Sequence, residues 1–438
     1  MKKFRFSAVN LGCNKNMVDL EFVIGEILKL SNTYKIEYYE EPEDSSVEYV
    51  IINTCGFLST SRKEAEQTIK YYDGLGKKLI IIGCYLEVKD DDFLSKIKEY
   101  QTINFKDFPE ISSIIFNKEK KDLKDKIQKS KKAFIWKGDE TRAYFNAPFG
   151  YEYLKIAEGC DNKCTFCIIP QIRGSQTSRQ MEDILNEVKL MIENGISEII
   201  IIAQDTTRYG TDLYKEPKLM ELLEKIENLK GDFKFRLLYM YPDNLTLSNI
   251  EKLKKFKKFI PYFDIPFQHI SENILKKMAR FYDKQHIFNM LDSIKTTFPE
   301  SHIRTSFIVG FPGETEADFV ELKDFITKYE FDSVALFEYH DEPLATSSKL
   351  EDKISHEVAI SRIQELDKII NAIYAKKAKQ DKGKTFTGYV TGAESKKILV
   401  RRELRAPEID EMDKVKPENI KTKKKELEIG DKVEYAVV

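Results

Sequence analysis

The chain has 438 residues, an apolar fraction of 42% and a formal net charge of −2 at pH 7. This length exceeds what one hydrophobic core usually organises, so we expect two or three domains. The near-neutral charge gives no overall electrostatic drive toward nucleic acid, although it leaves room for a local basic patch. We find no signal-peptide pattern at the N-terminus and no apolar run long enough to cross a membrane. We therefore expect a cytoplasmic protein with reduced thiols and no membrane partner.

The first part of the chain predicts a parallel sheet flanked by helices. Short apolar runs at 4–11, 49–52 and 79–82 are strand candidates, and their near-continuous hydrophobicity is typical of a sheet covered on both faces. An apolar stripe predicts a helix from about residue 16 to 30. Ser61 and Glu64 have capping-box spacing and predict the start of a second helix.

Three cysteines lie at equivalent positions of this predicted sheet. Cys13, Cys55 and Cys84 each follow a strand candidate by two or three residues, and each has a glycine beside it. Because ligands of open α/β sheets bind at the carboxyl edge, these thiols are expected to converge on one object. Three buried structural cysteines are the alternative. The repeated position favours a shared metal cluster.

A charged segment separates this part of the chain from the next. Residues 118–132 are dense in Lys, Asp and Glu, and the single tryptophan, Trp136, follows them. Such a composition leaves little to bury, so we interpret the segment as a linker.

The central part predicts an incomplete (β/α)6 barrel. Its strand candidates are 151–157, 196–203, 233–240, 260–265, 303–309 and 333–337. A helical stretch follows each of them. An active site is expected at the carboxyl ends of the strands, as in full barrels, and the missing strands would leave a lateral opening.

The second set of cysteines directly follows the first of these strands. Cys160, Cys164 and Cys167 have the spacing C-x3-C-x2-C. Three thiolates in one loop can ligate three corners of a 4Fe-4S cube, and the fourth iron then stays open to bind the amine and carboxylate of a small molecule. A structural zinc site would need a fourth ligand, and no further cysteine or histidine lies nearby in the sequence.

Other residues at the strand ends are candidates for the same site. Phe166 is expected either to stack on an adenine or to plug the barrel mouth. Gln204 follows the second strand, and Gly310 follows the fifth, where its backbone conformation matters most. Arg304 is expected to bind a carboxylate or to form a structural ion pair. For His269 we favour a structural or substrate-orienting role.

The last part of the chain predicts a long helix and a small antiparallel β-barrel. The helix is expected from about 355 to 379, and strand candidates follow at 385–390, 397–400 and 432–437. Acidic residues offset the basic ones in this module. Docking on a protein is therefore at least as well supported as binding of RNA.

The motifs at 11–16, 53–57, 83–84 and 158–167, together with the C-terminal barrel, resemble the methylthiotransferase family of radical S-adenosylmethionine (SAM) enzymes. The resemblance covers essentially the whole chain. It implies an N-terminal methylthiotransferase domain at 1–117, a linker at 118–147, a radical SAM barrel at 148–377 and a TRAM-like β-barrel at 378–438. Segments 203–210, 265–271, 304–314 and 405–410 look like the branch that methylthiolates the β-carbon of an aspartate in ribosomal protein S-twelve of the small subunit (uS12).

This resemblance also implies the cofactors and partners. Cys160, Cys164 and Cys167 would hold the 4Fe-4S cluster that cleaves SAM to a 5′-deoxyadenosyl radical. The other three cysteines would hold a second 4Fe-4S cluster that presents sulfur, and a second SAM would give the methyl group. Phe166, Gln204, Arg304 and Gly310 would contact SAM. A reduced flavodoxin or ferredoxin is the expected electron donor, uS12 or the small subunit is the expected substrate, and any RNA contact is secondary.

Two alternative functions are kept. The family branch that acts on transfer-RNA adenosine has a similar architecture but usually carries an Asn-rich segment where 204–209 stands here. A non-catalytic iron-sulfur electron carrier is less consistent with the cysteine pattern, because a carrier gains nothing from an open iron at each cluster.

Overall fold

The computed structural model describes residues 3–89, 91–116, 127–129, 134–136, 142–422, 424 and 426–438. No helix in these ranges is both long and apolar enough to span a bilayer. Three larger sheets carry the architecture, one in each of three consecutive parts of the chain.

The N-terminal part is an α/β unit on a parallel sheet with strand order β2-β1-β3-β4-β5. Its strands are β1 (Lys3–Asn10), β2 (Lys35–Tyr38), β3 (Tyr49–Thr54), β4 (Lys78–Gly83) and β5 (Tyr100–Ile103). Its helices are α1 (Asn14–Leu28), α2 (Ser59–Gly74), α3 (Asp91–Leu94) and α4 (Ile111–Ile115), with 3-10 turns at Lys29–Asn32, Cys84–Glu87 and Phe105–Glu110.

The three predicted strands and the first predicted helix are confirmed here. The predicted capping box is wrong, because α2 begins at Ser59 and its N-cap residue, Leu58, makes no side-chain capping bond. Two strands, β2 and β5, were not predicted. Both are four residues long and lie mostly at half-buried or exposed positions, so their sequences lack an apolar run.

The predicted linker lies largely outside the described residues. In its described part, β6 (Ile127–Lys129) and β7 (Phe134–Trp136) pair as antiparallel strands. A 3-10 turn at Ala147–Phe149 then leads into the barrel.

The central part is an open parallel barrel with strand order β15-β14-β13-β12-β11-β8, and no ladder joins its two end strands in the described residues. Its strands are β8 (Tyr151–Lys155), β9 (Ala157–Glu158), β10 (Thr177–Ser178), β11 (Glu198–Ile202), β12 (Lys234–Leu237), β13 (Phe259–Asp264), β14 (His302–Val309) and β15 (Ser333–Glu338). Its helices are α5 (Ile169–Ile172), α6 (Met181–Glu193), α7 (Thr211–Tyr214), α8 (Leu219–Glu227), α9 (Leu247–Leu253), α10 (Glu272–Lys277), α11 (Lys284–Thr297) and α12 (Glu316–Tyr329), with 3-10 turns at Thr206–Arg208, Pro242–Asn244 and Thr346–Lys349. All six predicted strands are confirmed.

The C-terminal part is a five-stranded antiparallel sheet with order β18-β17-β16-β20-β19, reached through the long helix α13 (His356–Asp381). Its strands are β16 (Thr385–Glu394), β17 (Lys397–Arg402), β18 (Asp413–Val415), β19 (Ile420–Lys421) and β20 (Lys432–Ala436), with a 3-10 turn at Pro417–Asn419. The long helix and the three predicted strands are confirmed, while β18 and β19 were too short to predict.

The hydrophobic core of the barrel interior is continuous with that of the N-terminal part. Along β11, Ile199 and Ile201 pack against the outer helices, whereas Ile200 and Ile202 share a cluster with Phe6 of β1 and other residues of the N-terminal sheet and α1. Alternation along a strand sends successive side chains to opposite faces. The inner face of the barrel is therefore closed by the N-terminal part.

A buried ionic network also joins these two parts. The guanidinium of Arg142 contacts Glu21 of α1 at 2.5 Å, Glu152 of β8 at 3.2 Å and Glu187 of α6 at 2.7 Å, and all four side chains are fully buried. A charge of this kind is tolerated inside a protein only when it is paired. The network therefore fixes how α1 lies on the barrel.

We expect Arg142→Met to lower the free energy of unfolding by about 3–5 kcal/mol, because Glu21 and Glu152 would stay buried without their cation. The measurement is the urea midpoint and melting temperature of the metal-free chain. Lys376→Met is the control, since the Lys376–Glu330 pair is solvent-exposed and worth about 1 kcal/mol or less. Equal losses in the two variants would contradict the structural role of Arg142.

Candidate active site

The loop of Cys160, Cys164 and Cys167 follows β9 at the carboxyl end of the barrel. The antiparallel β9–β10 pair closes the base of this loop, and the Cys160 N–H donates to the carbonyl of Gly174 at 3.1 Å. Thr165 anchors its far side, because its N–H donates to the Met278 carbonyl at 3.1 Å. The three cysteines line a cavity of about 340 Å³.

The three thiols of this loop line one cavity, and thiolates are the ligands of iron-sulfur clusters. In the described part of the chain, no group of three or more Cys, His, Asp or Glu residues lies close enough to hold a metal ion. A lone ion needs all donors at one bond length, about 2.3 Å for zinc and sulfur, whereas each thiolate of a cubane ligates its own iron. Burial raises the pKa of Cys160 and of Cys167 to about 12, so both thiols stay protonated until metal displaces the proton.

Two of the predicted SAM contacts lie beside this cavity loop. The ring of Phe166 is half-buried against the apolar cluster of Ile274, Met278, Ile308 and Phe311. Gln204 donates through Nε2 to Glu158, and its Oε1 is buried without a hydrogen-bond partner. The Phe166 ring also has the Arg280 guanidinium 5.8 Å from its centre, whereas Gln204 keeps a buried acceptor without a partner.

Gly310 and Arg304 are held by the barrel itself. The Gly310 N–H donates to Glu314 Oε2 at 2.8 Å, its φ is +78°, and a Cβ there would lie 2.7 Å from Cβ of Ala359. This position therefore requires glycine, as expected from the sequence. Arg304 pairs with Asp264 at 2.6 Å, which is the structural ion pair that the sequence left open.

His269 has a structural place in the barrel. Its ring is fully buried and its Nδ1 accepts a hydrogen bond from the Ser271 N–H at 3.0 Å. Burial lowers its pKa to about 3, so the ring is neutral at physiological pH. Its Nε2 lies 3.8 Å from Glu314 Oε2.

The other three cysteines, Cys13, Cys55 and Cys84, lie at the carboxyl edge of the N-terminal sheet. Cys55 directly follows β3 and Cys84 directly follows β4. A Cβ on Gly56 would lie 2.6 Å from the Cys84 carbonyl oxygen, so these two loops touch. Asn16 joins the set, because its Oδ1 accepts from the Cys13 thiol at 3.4 Å and its Nδ2 donates to Cys84 Sγ at 3.7 Å.

The thiols of this set have contrasting environments. Burial raises the pKa of Cys84 to about 11, against the opposing effect of Arg173. Desolvation also opposes ionisation of Cys13, but Lys15 and Arg173 outweigh it and lower the pKa. Cys13 is nevertheless exposed to solvent. Ionisation is therefore favoured at Cys13 and opposed at Cys84.

Arg173 connects the two cysteine sets. It immediately follows α5, in the segment after the Cys160–Cys167 loop, and its Nε donates to Cys84 Sγ at 3.3 Å. Its two terminal nitrogens donate to Asn16 Oδ1 at 2.9 Å, to Asp19 Oδ2 at 2.8 Å and to Glu158 Oε2 at 3.1 Å. One buried guanidinium therefore contacts a cysteine of the N-terminal sheet and the strand that begins the barrel loop.

Glu158 and Lys155 complete this junction. Lys155 bonds both Asp19 and Glu158, the second at 2.8 Å. Desolvation would raise the pKa of Glu158, but Arg173 and Lys155 outweigh it and lower the pKa to about 2. The carboxylate is therefore ionised at all physiological pH values and holds the two cations in place.

Tyr239 of the barrel contacts Lys15 of the N-terminal part. Tyr239 follows β12 with φ +59°, a left-handed conformation that is strained for a tyrosine, and its N–H donates to Asp264 Oδ2 at 2.9 Å. The Lys15 ammonium lies 3.3 Å from the centre of the Tyr239 ring. Tyr239, Lys15 and Cys13 are close enough to affect one another's ionisation.

Sequence reasoning missed four of these residues. Asn16 and Lys15 lie in the motif around Cys13, so their position beside a candidate ligand was a usable signal. Arg173 and Tyr239 carry no such signal, because each meets its partner, Cys84 or Lys15, only through the packing of the N-terminal part on the barrel.

Family models match two parts of the chain. Residues 154–326 match the radical SAM superfamily, and residues 5–104 match uncharacterized protein family UPF0004. Members of the radical SAM superfamily use a 4Fe-4S cluster and SAM, which agrees with the donor set of the barrel loop.

Solved structures share the fold at low sequence identity. The radical SAM methyltransferase TsrM from Kitasatospora setae, with cobalamin and a 4Fe-4S cluster bound, aligns with a TM-score of 0.57 and 10% identity over 79% of this chain and 77% of that one. The cobalamin-dependent radical SAM enzyme OxsB, with aqua-cobalamin and SAM bound, aligns with a TM-score of 0.54 and 13% identity over 84% of this chain and 56% of that one. At these identities the likeness concerns the fold alone.

Curated relatives match nearly the full length. The ribosomal protein uS12 methylthiotransferase RimO of Clostridium tetani is 37% identical over 94% of this chain and 91% of its own. RimO of Aquifex aeolicus is 37% identical over 93% and 89%, and RimO of Dictyoglomus thermophilum is 34% identical over 98% and 96%. The chain therefore belongs to the RimO methylthiotransferase family of radical SAM enzymes.

Proposed function

We propose that this protein methylthiolates the β-carbon of an aspartate in ribosomal protein uS12. The observation that supports the proposal is the junction at Arg173, which contacts Cys84 of the second cysteine set and Glu158 of the strand that precedes the radical SAM loop. An enzyme that only generated a radical would need the barrel loop alone. A sulfur-inserting enzyme needs a second site within reach of the same substrate atom.

The cysteines have distinct roles in this proposal. Cys160, Cys164 and Cys167 would hold the cluster that binds SAM, and the other three would hold a second 4Fe-4S cluster. When bound, these groups supply a 5′-deoxyadenosyl radical for hydrogen abstraction, sulfur for insertion and a methyl group from a second SAM. A radical is needed because the β-carbon is far too weak an acid for any general base. The protein itself holds the substrate and excludes water.

We also propose which residues face SAM. Phe166 offers its half-exposed ring and Gln204 its unpaired Oε1 at the mouth of the barrel. The backbone of Gly310 and the partly exposed Arg304 would complete the surface, with Arg304 kept in orientation by Asp264.

The C-terminal sheet is proposed to dock a protein rather than RNA. Its arginines already have carboxylate partners: Arg401 pairs with Glu198 at 2.7 Å, and Arg402 and Arg405 pair with Asp413 at 2.6 and 2.9 Å. Cations neutralised in this way contribute little to phosphate binding. Any RNA contact is therefore secondary.

The protein is proposed to act in the cytoplasm. Its six cysteines are free in the structure, which suits a reducing compartment and a ribosomal substrate. A reduced flavodoxin or ferredoxin is the proposed electron donor. We retain the division into 1–117, a linker at 118–147, 148–377 and a TRAM-like 378–438.

The substrate is tested in a deletion strain. Mass spectrometry of its ribosomal proteins is expected to show uS12 without the methylthio mass, and digested transfer RNA is expected to keep its normal methylthio-adenosine. If the strain instead loses the methylthio-adenosine and keeps the uS12 modification, the substrate of the protein is transfer RNA.

The roles of the two cysteine sets predict opposite phenotypes. Cys160→Ala is expected to abolish formation of 5′-deoxyadenosine from SAM and dithionite, because the radical SAM loop loses a ligand. Cys13→Ala is expected to retain it and to give no methylthiolated uS12. Both products are measured by anaerobic liquid chromatography and mass spectrometry. A Cys13→Ala variant that makes product at the normal rate would refute the second cluster, and wild-type protein that forms no 5′-deoxyadenosine would favour an electron carrier.

Arg173 is expected to support the second cluster through its bond to Cys84. In a background with Cys160, Cys164 and Cys167 changed to Ala, Arg173→Met should weaken iron binding by about 10- to 100-fold, as loss of a hydrogen bond to a ligand typically does. Arg173→Lys retains the charge and should lose less. The assay is iron and sulfide per chain across a range of iron concentrations. Arg405→Met, in the C-terminal part, is the control. If Arg173→Met loses no more iron than Arg405→Met does, Arg173 does not support the second cluster.

A further inference from the structure

The open barrel leaves one edge of β15 without a partner strand. β15 pairs with β14 on one side, and no ladder within the described residues joins its other side. Proteins usually cover or blunt such an edge, because its row of N–H and C=O groups can pair with another extended chain. This edge borders the lateral opening of the barrel, where a large substrate has access.

The outward backbone groups of this edge belong to Leu336 and Glu338. The Tyr339 N–H donates to the last residue of β14 at 2.9 Å, so the odd-numbered residues face β14. The Val334 N–H points the other way and donates to the Tyr374 hydroxyl at 2.7 Å. Since the register of β15 on β14 is unbroken, Leu336 and Glu338 also face outward. Outside the β14 ladder, no backbone hydrogen bond of the described residues reaches either of them.

Phe337 places an exposed aromatic ring beside this edge. Val334 and Leu336 pack with the outer helices, so Phe337 lies on the opposite, inner face of the barrel wall. Phe337 is 51% exposed, whereas the inner-face residues Ile200 and Ile202 of β11 are fully buried in the cluster that includes the N-terminal sheet. The N-terminal part therefore closes the barrel interior at β11 and leaves it accessible at β15.

The carboxyl end of β15 leads to the radical SAM loop. Tyr339, the first residue after the strand, packs on Phe311 with ring centres 5.1 Å apart, and both belong to the cluster that contains Phe166. The Tyr339 hydroxyl donates to Ser347 Oγ at 2.9 Å, and the Ser347 N–H donates to the Thr165 carbonyl at 2.9 Å. A chain that lies along the edge of β15 therefore has one end beside the cysteines of this loop.

We propose that an extended segment of the substrate protein adds to the edge of β15 as a further strand, an inference that rests on the proposed function. The backbones of Leu336 and Glu338 bind its main chain, and Phe337 contacts an apolar side chain near the target aspartate. Main-chain pairing requires a polypeptide that can be extended over several residues. The edge therefore fits a loop of a protein substrate, whereas RNA lacks the alternating N–H and C=O groups of a strand.

The first test changes the peptide and leaves the protein intact. A fluorescent uS12 peptide that contains the target aspartate, with one main-chain amide N-methylated at a time, is titrated into the full-length reconstituted enzyme. A bound strand points every second amide at β15, so methylation should weaken binding about 3- to 10-fold at alternate positions and by less than about 2-fold between them. Equal effects at neighbouring positions, or no effect at any position, would overturn the proposal.

The second test changes the edge. Phe337→Ser should weaken binding of the unmodified peptide about 10-fold, whereas Leu247→Ser, which alters a residue of α9 that is 48% exposed, should not. Glu338→Pro removes one outward N–H and spares the β14 ladder, so it should weaken binding about 3- to 10-fold. Glu338→Ala keeps that N–H and should bind normally. Iron per chain reports on the fold of each variant, and if a variant loses iron the methylation series on the wild-type protein decides.

Other occupants of the edge give different results. A wild-type dimer that Glu338→Pro dissociates would show that a second copy of the chain binds there. Binding of a transfer-RNA stem-loop that Phe337→Ser weakens, with peptide binding unchanged, would show a nucleic-acid contact. Either result overturns this inference, yet methylthiolation of uS12 by the wild-type protein would still support the proposed function. If the wild-type protein neither binds nor modifies uS12, the proposed function itself fails.

Discussion

The arrangement of both cysteine sets depends on one buried ionic junction between α1 and the start of the barrel. Asp19, Lys155, Glu158 and Arg173 alternate in charge, and each touches two oppositely charged neighbours. Such a group contributes little net stability, because desolvation of the ions offsets much of their attraction. Its value is geometric. Sliding α1 along the barrel would leave at least one ion unpaired in the interior, so the junction permits only one relative position.

The consequence is that two cysteine sets carried by different sheets are held in a fixed relation to each other. The radical SAM loop belongs to the barrel, whereas the second set belongs to three strand ends of the N-terminal sheet. Arg173 reaches Cys84 from the barrel, and Lys15 reaches Tyr239 from the N-terminal part. Because these contacts run in opposite directions between the two parts, separating the parts would break both. The N-terminal part is thus held on the barrel by polar contacts and by the continuous apolar core.

The sequence predicted local features well and the junction poorly. The strands that carry cysteines were recognisable because buried parallel strands are continuous apolar runs, and cysteine spacing in one loop is a local property. The short strands β2, β5, β18 and β19 lacked that signal. Arg173 and Tyr239 were not predicted because their partners are remote in sequence. For Arg304 the sequence allowed either a ligand contact or a structural ion pair, and the structure shows the ion pair with Asp264.

The contact between Tyr239 and Lys15 shows how the fold carries a local cost at the boundary of the two parts. Tyr239 keeps a left-handed backbone conformation, and its ring lies 3.3 Å from the Lys15 ammonium. Unfavourable backbone conformations persist where the surrounding structure enforces them. Here the Tyr239 N–H donates to Asp264 Oδ2 at 2.9 Å, so β13 holds the strained residue from the barrel side. On the other side, α1 is fixed by the paired charges of Asp19, Lys155 and Arg173. The strained residue is therefore held from both parts of the chain.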